Sequence, residues 1–166
     1  MLTIRDVVPA DIAAVRSLLI TTWHATYDPI LGRDKVTDIT GSWHAPGTLG
    51  RQIGEQGTAF LLAERDGEVI ATSYALGGGE AVMLRRLYVL PAEQGRGIGA
   101  ALLARTLDRF PAARRIILEV ERGNAPAIRF YERNGFTQVR LSGCCGDRSD
   151  IQAIVMEKRL EPPAES

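Results

Sequence analysis

The chain has 166 residues, long enough to bury a substantial core within one domain. Its 20 basic and 20 acidic side chains cancel to a formal net charge of zero, and the sequence pI is about 6.7. That balance removes the electrostatic case for a nucleic-acid or anionic-membrane binder. No apolar run is long enough to span a bilayer.

The opening stretch, MLTIRDVVPADI, has no basic segment followed by an apolar one, so no secretory signal is read there. Leu2 to Val7 alternates well enough for a short strand. Pro9 and Asp11 then open a helix, proline being suited to a first turn and an acid to the positive helix end. Ile12, Val15, Leu18, Leu19 and Thr22 mark its buried side. Trp23, Tyr27 and Ile30 continue at near-helical spacing until Pro29 and Gly32 break the run. His44, Pro46 and Gly47 fall in an irregular stretch, followed by a short helix to about Gly54. Phe60–Glu64 and Val69–Tyr74 read as strands joined through Asp66-Gly67, a strong hairpin signal. Gly77-Gly78-Gly79 reads as a flexible turn into the next strand.

The most informative stretch is Met83 to Phe110. Leu84–Leu90 is apolar and β-prone, and Pro91 stops it because proline cannot donate to a central ladder. Gln94-Gly95-Arg96-Gly97-Ile98-Gly99 follows, then a helix with Ile98, Leu102, Thr106, Leu107 and Phe110 on one side. A strand, a glycine-rich turn and a helix start form a device for holding phosphate. The glycines admit close backbone approach, and the free N–H groups and positive helix end point at the anion.

Arg115–Val120 is a further strand. Gly123-Asn124 caps a helix over Ala125–Arg133 with Pro126 in its first turn, and Asn134-Gly135 ends it. Phe136–Leu141 and Ile151–Leu160 close the series as strands, and the tail Glu161–Ser166 is expected to fray. The order β-α-α-β-β-β-α-β-α-β-β gives an α/β (α+β) fold: a mixed, mostly antiparallel central sheet flanked by helices, in a single domain over residues 1–160. The adjacent Cys144 and Cys145 are read as free thiols of a reducing cytoplasm, since neighbours rarely bridge and no histidine spacing makes them a metal site.

Several features have a plainer reading beside the functional one. Gly95, Gly97 and Ala100 also fit the dinucleotide pattern G-x-G-x-x-A, with Glu119 at a suitable distance for a ribose-binding acid. Against that, Pro91-Ala92-Glu93-Gln94 separates the turn from its strand, and only one further strand–helix unit follows. Tyr131 lies one turn from Ile128, and an aromatic there is ordinarily core. Trp23 and Tyr27 share a helical side, which by itself means packing. His24 and His44 are single, unpaired histidines of the kind found at surfaces. Arg96 can be a phosphate contact or a solvated arginine at a helix start. Glu119 alternates away from Leu118 and Val120, which makes it an acid at a solvent edge or one kept for a purpose.

Taken together, LYVLPAEQGRGIGAALL, LEVERGNAPAIRFYERNGF and AIVMEKRL resemble the GCN5-related N-acetyltransferases in order and spacing. The resemblance covers nearly the whole chain. It implies an enzyme that moves acetyl from acetyl-CoA to a primary amine by direct attack, with no metal. It implies that the backbone of Leu87, Tyr88 and Val89 pairs with the pantetheine arm. The amides of Gly95, Arg96, Gly97, Ile98, Gly99 and Ala100 would hold the pyrophosphate. Asn124 would bond the pantetheine region, Tyr131 would sit by the sulfur as the acid, and Trp23 and Tyr27 would wall the acceptor. Many members carry a glutamate where this chain has Met83. However, LEV followed by Asn124 resembles the ribosomal-protein N-terminal alanine acetyltransferases, which makes Glu119 the first choice for the base, a water chain being the alternative. The acceptor is then a small-molecule amine or a peptide N-terminus, and a homodimer stays open. Met83 also leaves room for a non-catalytic acyl-CoA-binding sensor.

Overall fold

The computed structural model describes residues 1–142 and 152–160, so Cys144, Cys145 and the tail Glu161–Ser166 lie outside the described residues. The elements in chain order are β1 (Leu2–Asp6), α1 (Ile12–Leu31), α2 (Arg33–Trp43), α3 (Pro46–Gln52), β2 (Thr58–Arg65), β3 (Glu68–Gly78) and β4 (Ala81–Val89). They continue with α4 (Ile98–Leu107), β5 (Arg115–Glu121), α5 (Ala125–Arg133), β6 (Thr137–Ser142) and β7 (Ala153–Arg159). The strand order in the sheet is β1-β2-β3-β4-β5-β7-β6. Pairing is antiparallel for β1–β2, β5–β7 and β6–β7 and parallel for β4–β5. This is the mixed, mostly antiparallel architecture expected from the element order. Antiparallel pairing at both ends of the sheet is also far from the doubly wound sheet of a dinucleotide-binding fold.

The residues gather into two compact units: Met1–Ala75 with Arg86–Arg109, and Leu76–Arg85 with the chain from Phe110 onward.

In the first unit, the entry to α1 is fastened by charge. The Asp11 carboxylate accepts from the Val8 N–H at 2.8 Å and takes both Arg5 Nη atoms at 2.8 and 2.9 Å. Arg5 Nε reaches Glu64 on β2 at 3.0 Å. The Arg5 hydrogen bonds hold the Asp11 carboxyl below its usual range, against a smaller opposing effect of burial. α1 buries Val15, Leu18, Leu19 and Thr22 of the side read from the sequence, and Trp23 and Tyr27 with them, while Ile12 at its start stays half-buried. It does not break at Pro29, which falls in its last turn, but at Gly32 with φ 90°. α2 was not anticipated: Thr37, Thr40 and Gly41 are weak helix formers. Val36, Ile39 and Thr40 are nevertheless buried, and the Thr37 and Thr40 hydroxyls donate back to the Arg33 and Val36 carbonyls at 3.0 Å. Tertiary packing overrides propensity there. The Asp66-Gly67 hairpin forms as expected, both residues having positive φ (53° and 81°), and strand β3 runs on through Gly77 and Gly78 so that the turn begins only at Gly79. Leu61, Ala63, Ile70, Ile98 and Leu102 form a core cluster, with Leu87 and Val89 of β4 packed on it. Inside this unit Ser73 Oγ and Thr106 Oγ1 satisfy each other at 2.8 Å.

In the second unit, β5 buries Ile116, Leu118 and Val120 and pairs along its length with β7, Glu119 standing opposite Val155. α5 ends as the sequence indicates: the Gly135 N–H donates to the Glu132 carbonyl and the Phe136 N–H to that of Tyr131. β6 begins at Thr137, one residue later than expected, because Phe136 turns into the core at 2% exposure. In the first unit α4 ends at Leu107, before Phe110, and Leu103 completes the buried side of that helix.

Candidate active site

The strand, the glycine-rich turn and the helix start follow one another as the sequence indicates. After β4 the chain makes one 3-10 turn over Pro91–Glu93, and Gln94 Nε2 closes back onto the Val89 carbonyl at 3.1 Å. Gly95 and Gly97 both take positive φ (80° and 79°), and Gly97 is the N-cap of α4. An L side chain is strained in that region. A Cβ added at either position would meet nothing within 4 Å, so the loop is open above its glycines. Among the described residues, no backbone N–H from Gly95 to Ala100 has an acceptor; the first helix-forming donor is Ala101, on Gly97. Six N–H groups at the positive end of a helix, with open space above two glycines, fit a pyrophosphate. Arg96 is 60% exposed, with Nη1 3.6 Å from Glu93, so its charge stands at the loop's rim. Glu93 is itself neutralised by Arg65 at 2.7 Å.

The parallel ladder of β4 covers only Ala81–Leu84. Leu87, Tyr88 and Val89 therefore lie outside it, which leaves backbone groups on that edge for an extended partner, the Val89 carbonyl excepted because Gln94 occupies it. Alternation sends their neighbours to two different places. Leu87 and Val89 pack on the cluster that includes α4. Tyr88 approaches Trp23, with ring centroids 6.3 Å apart.

Trp23 and Tyr27 are buried at 7% and 5% exposure, with ring centroids 4.4 Å apart. Trp43 and His44 stand edge-on to Trp23 at 5.7 and 5.6 Å. The expectation of a surface His44 is wrong: it is 3% exposed. Burial pulls its pKa down to about 3, helped by the charges of Arg86 and Arg16, so the imidazole is neutral at physiological pH. His24 is not unpaired either, its Nδ1 lying 2.7 Å from Asp28.

Arg86, which sequence reasoning passed over, is the chemically unusual residue here. It is 8% exposed, donates from Nη2 to Gln52 at 2.5 Å, and lies over the rings of Tyr74 and Phe60 at 4.5 and 5.1 Å. No carboxylate pairs with it among the described residues, and burial lowers its pKa to about 10, which still leaves it charged. Two aromatic faces return up to roughly 2 kcal/mol each when desolvated, against a desolvation cost of several kcal/mol per buried ion. The signal that could have found it is strand alternation: Arg86 has the parity of buried Val82 and Leu84, whereas Arg85 is exposed. Burial also raises the Tyr88 phenol, with Trp23 and Arg86 pulling the other way.

In the second unit Glu119 is exposed and accepts from Ser142 Oγ at 3.2 Å. Asn124 is buried and caps α5, its Oδ1 accepting from the Ala127 N–H at 3.3 Å. Tyr131, at 8% exposure, packs edge-on between Phe130 and Phe136 at 5.2 and 5.3 Å. The plainer readings of Asn124 as a cap and Tyr131 as an aromatic packed in the core thus hold, and neither conflicts with a further role.

Residues 15–136 match the acetyltransferase (GNAT) family model, and the chain belongs to that family. It is 30% identical over 112 residues to the spore coat polysaccharide biosynthesis protein SpsD of Bacillus subtilis, a match spanning 66% of this chain and 37% of that protein. It is 48% identical over 60 residues to the mycothiol acetyltransferase of Beutenbergia cavernae, covering 33% of this chain and 20% of the relative. The chain thus spans well under half the length of both. Among solved structures, the PaiA N-acetyltransferase of Thermoplasma acidophilum in complex with coenzyme A superposes with a TM-score of 0.84 at 22% identity, covering 96% of this chain and 99% of that one. The ribosomal-protein-S18-alanine N-acetyltransferase of Escherichia coli gives 0.74 at 20% identity, covering 100% and 98%. At these identities the two structures speak for the fold.

Proposed function

We propose that this chain is an acetyl-CoA-dependent N-acetyltransferase acting on a primary amine by direct attack. The observation that carries this is the run of six N–H groups at the start of α4 without an acceptor among the described residues, following a β4 edge left outside its ladder. Gly95 to Ala100 hold the pyrophosphate; Leu87, Tyr88 and Val89 orient the pantetheine arm by strand-like pairing, and Asn124 adds a polar contact to it. Acetyl-CoA supplies an acetyl group activated as a thioester.

The chain's own residues manage the protons. An alkylamine has a pKa near ~10 and is mostly protonated at neutral pH, so the attacking amine must lose a proton. Glu119 takes it, directly or through one water; the carboxylate is exposed and accepts from Ser142. Tyr131 holds the proton that the departing thiolate needs. A backbone N–H of Tyr88 or Val89 stabilises the developing charge on the carbonyl oxygen. Trp23 and Tyr27 line the acceptor side and exclude water. The family relationship and the fold similarity support this reading, and with Glu119 as the base Met83 need not titrate. Its cytoplasmic setting is part of the same proposal; among the described residues no helix is long and apolar enough to cross a membrane.

The test is acetyl-CoA turnover by the purified protein over a panel of amines and N-terminal peptides. Turnover with at least one acceptor is expected. Tight acetyl-CoA binding with no turnover on any acceptor would instead favour an acyl-CoA sensor.

A further inference from the structure

Beside Trp23 lies a group of nitrogens that nothing among the described residues satisfies. Arg86 Nε and His44 Nδ1 are buried without a hydrogen-bond partner, on side chains 8% and 3% exposed, and Arg16 Nε is buried without one as well. They belong to one neighbourhood: the Arg86 and Arg16 charges both act on His44, and His44 stands 5.6 Å from the Trp23 ring. The groups that act on the Arg86 charge are Tyr88 and Tyr74; no acid is among them. Glu55, which accepts from the Tyr74 hydroxyl at 3.3 Å, is exposed and makes no ion pair with Arg86. A folded chain rarely keeps a buried cation and several buried donors unanswered. The arrangement is complete only when an anion enters it.

We propose that the acceptor carries a carboxylate, that Arg86 binds it, and that the substrate class is therefore an amino-acid-like amine rather than a diamine or polyamine. This rests on the acetyltransferase reading and specifies its acceptor. Arg86 is the one charge here on a buried side chain, Arg16 being half-buried, and a single buried charge calls for a monoanion; His44 is neutral and contributes a single hydrogen bond, which with Arg86 does not suffice for a phosphate dianion. Arg86 directly precedes Leu87–Val89, so an anion held there brings an amine of the same molecule to the strand proposed to orient the donor. Trp23, Tyr27 and Trp43 surround the body of the acceptor with aromatic surface. The same guanidinium repels a second ammonium group on the substrate, which gives selectivity by rejection as well as by attraction.

The experiment uses matched sets: free amino acids, their carboxamides, and the amines that lack the carboxyl group altogether. With acetyl-CoA and the intact protein, kcat/KM for the carboxylate member is expected to exceed that of its partners by on the order of 10²-fold. In Arg86→Gln that ratio should collapse toward one, whatever the variant's absolute rate. Binding is followed separately by thermal shift with 3-phenylpropionate as an acetyl-free probe; it should stabilise the wild type and not Arg86→Gln. Equal turnover of carboxylate and carboxamide members by the wild type overturns the proposal and leaves the acetyltransferase reading intact. Stabilisation by the probe that is lost in Arg86→Gln, with no acetyl transfer to any member, upholds the anion site and defeats the transfer reading. An unchanged ratio in Arg86→Gln also overturns the assignment to Arg86.

Discussion

The burial of His44 has a measurable consequence for folding. Its ordinary pKa of 6.5 falls to about 3 in the folded chain, chiefly through burial, with Arg86 and Arg16 adding repulsion. Below pH 6.5 the unfolded chain binds a proton that the folded chain refuses, so stability falls as pH drops through the window from 6.5 to about 3. Above that window both states are neutral and the residue contributes no slope. Integrating the linkage relation from about pH 7.5 to about pH 5 gives a loss of about 2 kcal/mol from this one imidazole. With a urea m-value of ~1–3 kcal/mol/M, the unfolding midpoint should move down by about 1 M. The assay is urea unfolding at a series of pH values for the wild type and His44→Gln, with m compared at each pH. Replacement changes absolute stability, since the ring contact with Trp23 is lost, so the comparison rests on the slope. The wild type should show the steeper acid loss, and His44→Gln should lack about 2 kcal/mol of it over that range. Parallel curves for the two proteins would refute the argument, because they would place His44 where protons reach it.

Three further outcomes follow from the geometry. Acetyl-CoA at ~100 times its dissociation constant should stabilise the wild type by roughly 2.7 kcal/mol and NAD should not; Gly97→Val should lose the effect, because its φ of 79° and the open space above it are both needed. Tyr131→Phe should keep acetyl-CoA affinity while lowering kcat by ~10²-fold, and Glu119→Gln should be slow at neutral pH and recover at high pH, where the amine is already neutral; pH–rate profiles in a validated acceptor assay check both. Tyr27→Ala should lower stability by roughly 3–5 kcal/mol through loss of its packing on Trp23, and in the fraction that folds it should raise the acceptor KM more than that of acetyl-CoA; denaturant melts and steady-state kinetics separate the two effects.

What the sequence determined by itself is what short-range rules control. Asp66-Gly67 is a two-residue hairpin because its positive φ pair admits few other residues. Gly95 and Gly97 before Ile98 make an open helix start with positive φ for the same local reason, and the family blocks are contiguous stretches whose order can be read along the chain. Helix α2 was legible only in part: Val36, Ile39, Thr40 and Trp43 do keep helical spacing, but Thr37, Thr40 and Gly41 argue against it. Burial against α1 decides the matter. The resemblance points to Trp23 and Tyr27, but the gathering of Arg16, His44 and Arg86 beside Trp23 was not legible. Arg16 and Trp23 come from α1, His44 follows α2, and Arg86 lies on β4, so their meeting depends on long-range packing. No local rule distinguishes a solvated histidine from one that the fold has stripped of water. The tertiary structure alone decided that His44 is neutral and Arg86 unpaired, because desolvation depends on what the whole unit places around a group.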